Sequence, residues 1–380
     1  MNPYRLLLIG PRRAIIKILR ARKIPFSVWR ENATYPIDDA QKIVTAPLFN
    51  STRKLKQIIE EAFGDERFTH VIAGSEAAVY AAAVARRMVG ARASPTTTAL
   101  RCRDKLAMKQ YLSDYDIPMT RFLAESSVSS PADAFEFLGR PLVRKQRKAF
   151  GGRSFELLAQ DQDLVLQHNG RNILEKFVSA PEASIESFVN NGEIKFVNTT
   201  SYLEKRHVNL VPAAFDEDLQ ANLLALNRKV IDALKINWGI THLEVYLGDK
   251  GLLFGEIALR PPGGYIMNAM HYAYRFNPWE AFVNIELGEH FEFPAATAAY
   301  SCVEVLHPGV GRITAIRGEQ LVKNHADVRE FKLKVKAGDI ISKRDGAGQD
   351  IGYLLHASTT PATRLDLYHS FKRQFAIDIA

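Results

Sequence analysis

The alternation of apolar and polar positions predicts a β-hairpin beyond the middle of the chain. Two strand-like runs, residues 241–247 and 252–260, flank a turn that contains glycine and aspartate. Because successive side chains of a strand face opposite ways, Glu244 and Glu256 are predicted to share the polar face. A turn of odd length centred on Lys250 would place these carboxylates opposite each other, about 5 Å apart. The apolar face is predicted to hold Leu243, Val245, Leu247, Leu253, Ile257 and Leu259.

Two opposed carboxylates indicate a cation site. Bare carboxylates at this spacing repel each other, and a divalent ion such as Mg²⁺, with Mn²⁺ as an alternative, removes the conflict. Arg260 follows on the same strand, and Gly263 and Gly264 allow backbone to approach a ligand closely. The hairpin therefore suggests a metal–nucleotide site. The alternative is that both glutamates simply lie on a solvent-exposed face of the sheet.

The N-terminal segment alternates predicted strands and helices, which indicates a parallel α/β domain. Strands are expected at residues 4–10, 24–29, 42–46 and 69–73, and helices at 11–21, 51–63 and 75–88, with Ser51 as an N-cap. The first strand ends at Gly10, but the second and third glycines of a G-x-G-x-x-G loop are missing. We therefore expect a Rossmann-like domain that does not bind NAD.

The rest of the chain predicts a mixed α/β region followed by a further segment. Its predicted elements are a helix over 101–115 that carries Asp104 and Lys105 in its first turns, a hairpin of 141–146 with 154–159, strands at 173–178 and 182–189, and a helix over 216–234. Short strands follow, with a final helix from about residue 361. We expect three domains, at residues 1–92, 93–293 and 294–380.

Composition narrows the class of protein. The chain has 380 residues, a net charge of +8, and neither a signal-peptide pattern nor a run long enough for a membrane helix, so a cytoplasmic protein is expected. Its basic residues are dispersed rather than gathered in aromatic patches, which argues against nucleic acid and favours a polyphosphate or other anionic ligand. Cys102 and Cys302 have neither disulfide nor metal-ligand spacing.

The motifs, in this order, resemble the ATP-grasp superfamily, specifically its carboxylate–amine ligases. Lys105 resembles the first nucleotide lysine of that family, and Lys145 resembles the lysine that touches the α- and β-phosphates, although Gln146 stands where the family usually has proline. The loop with Gly151, Gly152 and Ser154 resembles the one that closes on the triphosphate. The resemblance implies an α/β, ATP-grasp fold with a Rossmann-like pre-ATP-grasp domain, an α+β grasp domain and a C-terminal mixed domain.

Further nucleotide and metal residues follow from the resemblance. The hinge that grips adenine corresponds to Glu175, Lys176, Phe177 and Val178, and Glu182 corresponds to the acid that binds the ribose hydroxyls. Glu244 and Glu256 correspond to the metal-binding glutamates. The family pattern E-x-N-x-R is broken at Ala258, which cannot coordinate a second ion.

The resemblance implies that a carboxylate attacks the γ-phosphorus of ATP, after which an amine displaces phosphate from the acyl phosphate. Lys105, Lys145 and Mg²⁺ would neutralise charge, and Arg260 with the backbone near Gly263 would hold the carboxylate and the oxyanion. The substrates would be a small carboxylate and an amine, one of them an amino acid, with neither nucleic acid nor membrane as a partner and with a homodimer possible.

Two other functions fit the same motifs. One is a ligase-like enzyme that activates bicarbonate, as biotin carboxylase does, and the other is a catalytically silent ATP-binding protein. Several single residues have both a site and a structural interpretation, namely Glu76, His242, Tyr246, Asn268 and His271.

Overall fold

The N-terminal part of the chain folds as a parallel sheet between helices, as predicted. The computed structural model describes residues 3–149, 151, 154–344 and 349–380. The first elements are β1 Leu6–Ile9, α1 Arg13–Ala21, β2 Phe26–Arg30, β3 Ile43–Thr45, α2 Thr52–Phe63, β4 His70–Ala73 and α3 Ala78–Val89. The strands are joined in parallel in the order β3-β2-β1-β4. Every residue of β1 is buried, as is typical of a parallel strand covered on both faces.

Side-chain caps set the starts of α2 and of the helix that begins at Lys105. Ser51 accepts a hydrogen bond from the Lys54 amide and caps α2, which confirms the predicted N-cap. The predicted helix over 101–115 is wrong at its start. The chain instead forms two helices, α4 Thr96–Arg101 and α5 Lys105–Leu112, because the Asp104 side chain accepts from two amides and caps α5.

A four-stranded antiparallel sheet follows α5. It contains the predicted hairpin of 141–146 with 154–159 and is ordered β5-β8-β6-β7. Its elements are β5 Phe122–Ala124, α6 Pro131–Leu138, β6 Leu142–Gln146, β7 Glu156–Leu158 and β8 Asn172–Lys176. This four-stranded sheet therefore carries both Lys145 and the glycine-containing loop.

An eight-stranded antiparallel sheet forms the centre of the molecule, and a three-stranded sheet completes it. The remaining elements are β9 Glu182–Asn190, β10 Glu193–Glu204, β11 Val208–Val211, α7 Glu217–Leu234, β12 Trp238–Gly248, β13 Gly251–Ala258, α8 Ile266–Tyr274, α9 Pro278–Leu287, β14 Tyr300–Leu306, β15 Gly311–Arg317, α10 Glu319–Lys323, β16 Val328–Leu333, β17 Ile340–Ile341, β18 Gly352–Ser358, α11 Pro361–Gln374 and β19 Ala376–Ile379. The large sheet runs β13-β12-β9-β10-β11-β14-β18-β16, and the small one runs β17-β15-β19. The large sheet continues across the predicted boundary at residue 293, and the three-domain division stays a prediction.

One apolar cluster joins the N-terminal sheet to the large sheet. It includes Leu6 and Leu8 of β1, Phe188 of β9, and Phe282 and Ile285 of α9. Helix α9 packs against α1 and β4 on one side and against β9 and β12 of the large sheet on the other, and α8 packs against β11, β14 and β18 of the large sheet. Among the described residues, no helix is long and apolar enough to cross a bilayer.

Candidate active site

The two glutamates of the hairpin lie opposite each other as predicted, although a different turn produces the pairing. Strands β12 and β13 are antiparallel, and Glu244 pairs with Glu256. The turn has two residues rather than an odd number, since Gly248 pairs with Gly251, and a β-bulge at Gly255 then shifts the register by one. At Gly255 a side chain would meet the Glu244 carbonyl oxygen at 2.9 Å, so this glycine permits the bulge.

The same bulge overturns the predicted face of Leu253. Phe254 pairs with Val245 and belongs to the core cluster beneath α7, whereas Leu253 pairs with Tyr246. One extra residue inverts the alternation of the return strand before Glu256. Leu253 therefore lies on the face of Tyr246, which lines the cavity described below.

Lys105 stands beside the glutamate pair because Asp104 starts α5 at that point. Its Nζ lies 3.0 Å from Glu256 Oε2 and donates to the Ala149 carbonyl oxygen at 2.8 Å. The Lys105 amide also donates to the Arg147 carbonyl. Lys105 thus links the hairpin glutamates to the base of the glycine-containing loop.

Lys145 is held by a buried carboxylate, that of Glu175. Lys145 Nζ donates to Glu175 Oε2 at 3.2 Å, and Lys109 Nζ lies 3.6 Å from the same oxygen. Burial by itself raises the pKa of Glu175, but the two ammonium groups outweigh burial and hold that pKa at about 2. Glu175 is only 2% exposed, so its side chain positions Lys145 rather than facing the cavity.

His242 links Glu244 to a buried polar network. Its Nδ1 lies 2.9 Å from Glu186 Oε1, and its Nε2 lies 3.5 Å from Glu244 Oε1. Burial lowers the pKa of His242, yet the two carboxylates outweigh burial and raise it above the ordinary value. Burial conversely raises the pKa of Glu244, and His242 outweighs that effect and lowers it. His242 therefore connects Glu186 to Glu244, a contact that favours a role in positioning Glu244, and its side chain also lines the cavity described below.

Arg260 is oriented by Glu76 at the start of the region that leads into α3. Arg260 Nε donates to Glu76 Oε2 at 2.7 Å, and Arg103 pairs with the other oxygen of the same carboxylate. Arg103 also donates to the Lys148 carbonyl oxygen at 2.9 Å. The resulting chain of contacts runs from the glycine-containing loop through Glu76 to Arg260.

The structure brings eight predicted site residues to the wall of one cavity of about 170 Å³: Lys105, Lys145, Gly151, Glu182, Glu244, Glu256, Arg260 and Gly263. Glu182 there forms an ion pair with Lys205. A second cavity of about 870 Å³ adjoins the first and shares Gly151, Arg260 and Gly263 with it. Arg260 therefore stands at the junction of the two cavities.

Other predicted nucleotide residues lie away from these cavity walls. Ser154 lines a separate depression next to Phe49, and Gly152 lies outside the described residues. Neither Lys176, Phe177 nor Val178 belongs to the wall of the first cavity, and the Lys176 amide is bonded to the Arg121 carbonyl. The assignment of these residues to the nucleotide stays a prediction.

Three of the residues with both a site and a structural interpretation lie outside the first cavity. Asn268 lines the second cavity and donates to the Glu330 carboxylate. His271 instead lies close to the Phe276 carbonyl oxygen, with 2.7 Å between the two atoms, and lines a different depression. Glu76 also lines the second cavity.

Several residues of the first cavity were not predicted from the sequence, namely Tyr202, Lys205, Arg206, Asn209 and Arg344. They come from β10, the turn after it, β11 and the segment before β18, which are distant in the chain from the glutamate pair. Asn209 Nδ2 donates to the Gly264 carbonyl oxygen at 2.8 Å and so fixes the backbone beyond Arg260. No motif spacing signals these residues, because only the pairing of β11 with its neighbours brings them here.

The chain is similar to several known proteins. Residues 110–272 match the ATP-grasp domain family. The L-arginine-specific L-amino acid ligase of Bacillus subtilis is 24% identical over 352 residues, which span 87% of this chain and 82% of that protein. The crystal structure of L-amino acid ligase from Bacillus licheniformis has a TM-score of 0.82, 18% identity and full coverage of both chains.

A third relative shares the fold from end to end. N5-carboxyaminoimidazole ribonucleotide synthetase from Thermotoga maritima has a TM-score of 0.73 and 16% identity over 99% of this chain and 100% of that one. These likenesses confirm the predicted fold class, since the same arrangement of parallel and antiparallel sheets recurs at low sequence identity. Residues 110–272 of this chain thus match an ATP-grasp domain, and the chain as a whole shares the fold of these ligase structures.

Proposed function

We propose that this protein is an ATP-dependent carboxylate–amine ligase that forms an amide through an acyl phosphate and uses an amino acid as a substrate. The observation that carries the proposal is the opposed Glu244–Glu256 pair, which shares one cavity with Lys105, Lys145 and Arg260. The relatives named as L-amino acid ligases support the amino-acid part. ADP and phosphate would be the other products.

In the first step, a carboxylate oxygen bonds to the γ-phosphorus of ATP, and the bond from that phosphorus to ADP breaks. Such a step depends on charge neutralisation and alignment more than on covalent chemistry by the protein. Lys145, fixed by Glu175, and Lys105, fixed by Glu256 and the Ala149 carbonyl, present two ammonium groups to the cavity. Loss of one such group is expected to cost about 100- to 1,000-fold in rate.

The donor chemistry of the glutamate pair fits Mg²⁺. Two carboxylates on adjacent strands offer hard oxygen ligands, and Mg²⁺ commonly takes one or two carboxylates together with phosphate oxygens. Within the described residues, no group of three or more His, Cys, Asp or Glu side chains forms a metal site, so oxygens from the nucleotide and from water would complete the shell. When bound, Mg²⁺ would neutralise triphosphate charge, with Glu244 and Glu256 as its protein ligands.

In the second step, the amine attacks the acyl carbon and phosphate leaves. Arg260 is suited to hold the reacting carboxylate because Glu76 fixes its Nε and because it stands between the two cavities. Gly263 lines both cavities, and backbone amides at this point would donate to the developing oxyanion. The loop around Gly151 would exclude water from the acyl phosphate.

Trapping of the acyl phosphate tests this proposal. The protein is incubated with Mg-ATP, hydroxylamine and pools of amino acids, and both hydroxamate and ADP are measured. Hydroxamate from one pool supports the ligase, and loss of this product in Glu256→Gln ties it to the site. Glu193→Gln changes an exposed glutamate in another hairpin of the same sheet and serves as the matched control.

Two results would contradict the proposal. ADP release that requires bicarbonate, with no hydroxamate from any amino acid, would favour the bicarbonate-activating alternative. Tight ATP binding without ADP release from any pool would favour a silent ATP-binding protein.

A further inference from the structure

The second cavity carries an excess of positive charge. Its wall contains six cationic side chains, those of Arg12, Lys17, Arg22, Arg260, Lys334 and Arg344, and three carboxylates, those of Glu76, Glu280 and Asp350. A volume of about 870 Å³ is large enough for an amino acid or a larger metabolite. A substrate whose reacting carboxylate lies at Arg260 would extend into this space.

Ion pairs neutralise three of these six cations, and a fourth, Arg344, donates to the Arg206 carbonyl oxygen at 3.1 Å. Glu76 pairs with Arg260, and Asp350 lies 2.6 Å from Lys334. Arg22 pairs with Glu289, which lies outside the cavity wall. Within the described residues, neither Arg12 nor Lys17 has a carboxylate within ion-pair distance. These two side chains therefore carry the uncompensated charge on the N-terminal side of the cavity.

Helix α1 directs these cations to the cavity. Ala14, Lys17, Ile18 and Ala21 all line the cavity, and their spacing places them on one face of the helix. Arg12 directly precedes the helix, and its Nε donates to the Gly74 carbonyl oxygen at 3.0 Å. Surrounding protein lowers the pKa of Arg12, and the like charge of Arg260 lowers it further, which indicates that the two guanidinium groups share one region.

We infer that the substrate in this cavity carries an additional anionic group, a carboxylate or a phosphate, which Arg12 and Lys17 bind. The inference rests on the proposed ligase function and assigns a charge class to its substrate. A cationic side chain such as that of L-arginine would be repelled by the same wall, so this chain would differ in preference from its Bacillus subtilis relative. Glu280, in the first turn of α9, also lines the cavity and would offer a carboxylate to a substrate ammonium group.

Binding of near-isosteric ligands that differ in charge tests the inference without requiring turnover. Isothermal titration of the full chain compares L-glutamate with L-glutamine, L-aspartate with L-asparagine, and O-phospho-L-serine with L-serine, each with and without Mg-ADP. The anionic member of at least one pair is expected to bind about tenfold more tightly, which equals about 1.4 kcal/mol. The pair with the largest ratio distinguishes a carboxylate from a phosphate.

Two substitutions test whether Arg12 and Lys17 cause the preference for anionic ligands. Arg12→Gln and Lys17→Gln are each expected to remove most of the preference for the anionic ligand. Arg13→Gln is the matched control, because Arg13 neighbours Arg12 but stacks over the Tyr35 ring and does not line the cavity. Equal binding within every pair, or a preference that survives both variants, would overturn the inference.

The hydroxamate assay separates this failure from failure of the ligase proposal. Hydroxamate formed equally well from neutral or basic amino acids would leave the ligase intact and reject the anionic substrate. Selective binding of anionic ligands without any acyl phosphate would reject the ligase and leave only an anion-binding cavity.

Discussion

Glu76→Gln removes the single carboxylate that Arg103 and Arg260 share. Glu76 is 7% exposed and Arg103 is 5% exposed, so the remaining guanidinium groups would be poorly solvated. Burial alone raises the pKa of Glu76, but Arg260 and Arg103 outweigh burial and lower it. Removing one partner from a buried ion pair costs about 3–5 kcal/mol, and we expect about 3 kcal/mol here because Gln keeps one acceptor oxygen.

The stability assay is urea denaturation followed by tryptophan fluorescence. For a denaturant slope of about 3 kcal/mol per molar, the midpoint should fall by about 1 M. Since the folded-state pKa of Glu76 is depressed, its contribution is complete above the ordinary carboxyl pKa and is lost as pH falls through the folded value. The difference between wild type and variant should therefore shrink in acid. Arg103→Gln in the same chain should recover part of the loss, with a coupling energy of about 1–3 kcal/mol.

Enzyme kinetics distinguish the role of Glu76 in positioning Arg260 from its contribution to the stability of the fold. Glu286→Gln breaks another buried ion pair, with Arg86 at 2.6 Å, and does not touch either cavity. Both variants should lose stability, but only Glu76→Gln should raise KM for the carboxylate substrate, because only Glu76 orients Arg260. Equal KM values in the two variants, or additive effects of Glu76→Gln and Arg103→Gln, would refute this reasoning.

Two further predictions concern the interior. His356 is buried, neither of its ring nitrogens has a hydrogen-bond partner within the described residues, and burial followed by Arg364 and His325 lowers its pKa to about 3. In the unfolded chain His356 takes up a proton near pH 6.5, so the free energy of unfolding should fall from pH 6.5 towards 3 by up to about 1.4 kcal/mol per pH unit. His356→Leu should therefore reduce the dependence of the denaturation midpoint on pH. An unchanged dependence on pH would contradict this prediction. Gly255→Ala should destabilise by about 1–3 kcal/mol and reduce ADP release, because its Cβ would clash with the Glu244 carbonyl. Calorimetry should show a smaller loss for Gly263→Ala, where nothing lies within 4 Å, and equal losses would exclude the clash.

Local sequence patterns were sufficient for most elements of the fold. The apolar run of β1, the Ser51 cap and the paired strands around Lys145 each follow from residues close together in the chain. The pattern failed at Asp104, where a capping side chain divided one predicted helix into two. A polar residue inside a helical pattern can cap or continue the helix, and only the competition between local hydrogen bonds decides.

Site residues could be predicted from the sequence where they belong to a short motif or to one face of a predicted strand. Strand parity predicted Glu244 and Glu256, Arg260 was predicted from its place on the same strand, and Lys145 was predicted from the resemblance. The resemblance assigned Glu175 to the adenine hinge, whereas the structure buries it beside Lys145. This burial results from the packing of β6 against β8, which the sequence does not show. Arg12 was not predicted as a site residue, and only the structure places it in the wall of the second cavity.

The sequence by itself determined the order of strands and helices, the polar face with its two glutamates, and the likeness to ATP-grasp ligases. The tertiary structure alone decided the bulge at Gly255, the contact of Glu76 with Arg103 and Arg260, and the cationic wall of the second cavity. The physical reason is the distance along the chain over which each interaction acts. Periodicity and capping depend on neighbours within a few residues, whereas ion pairs and cavity charge depend on side chains that are far apart in the chain and meet only after the sheets have packed.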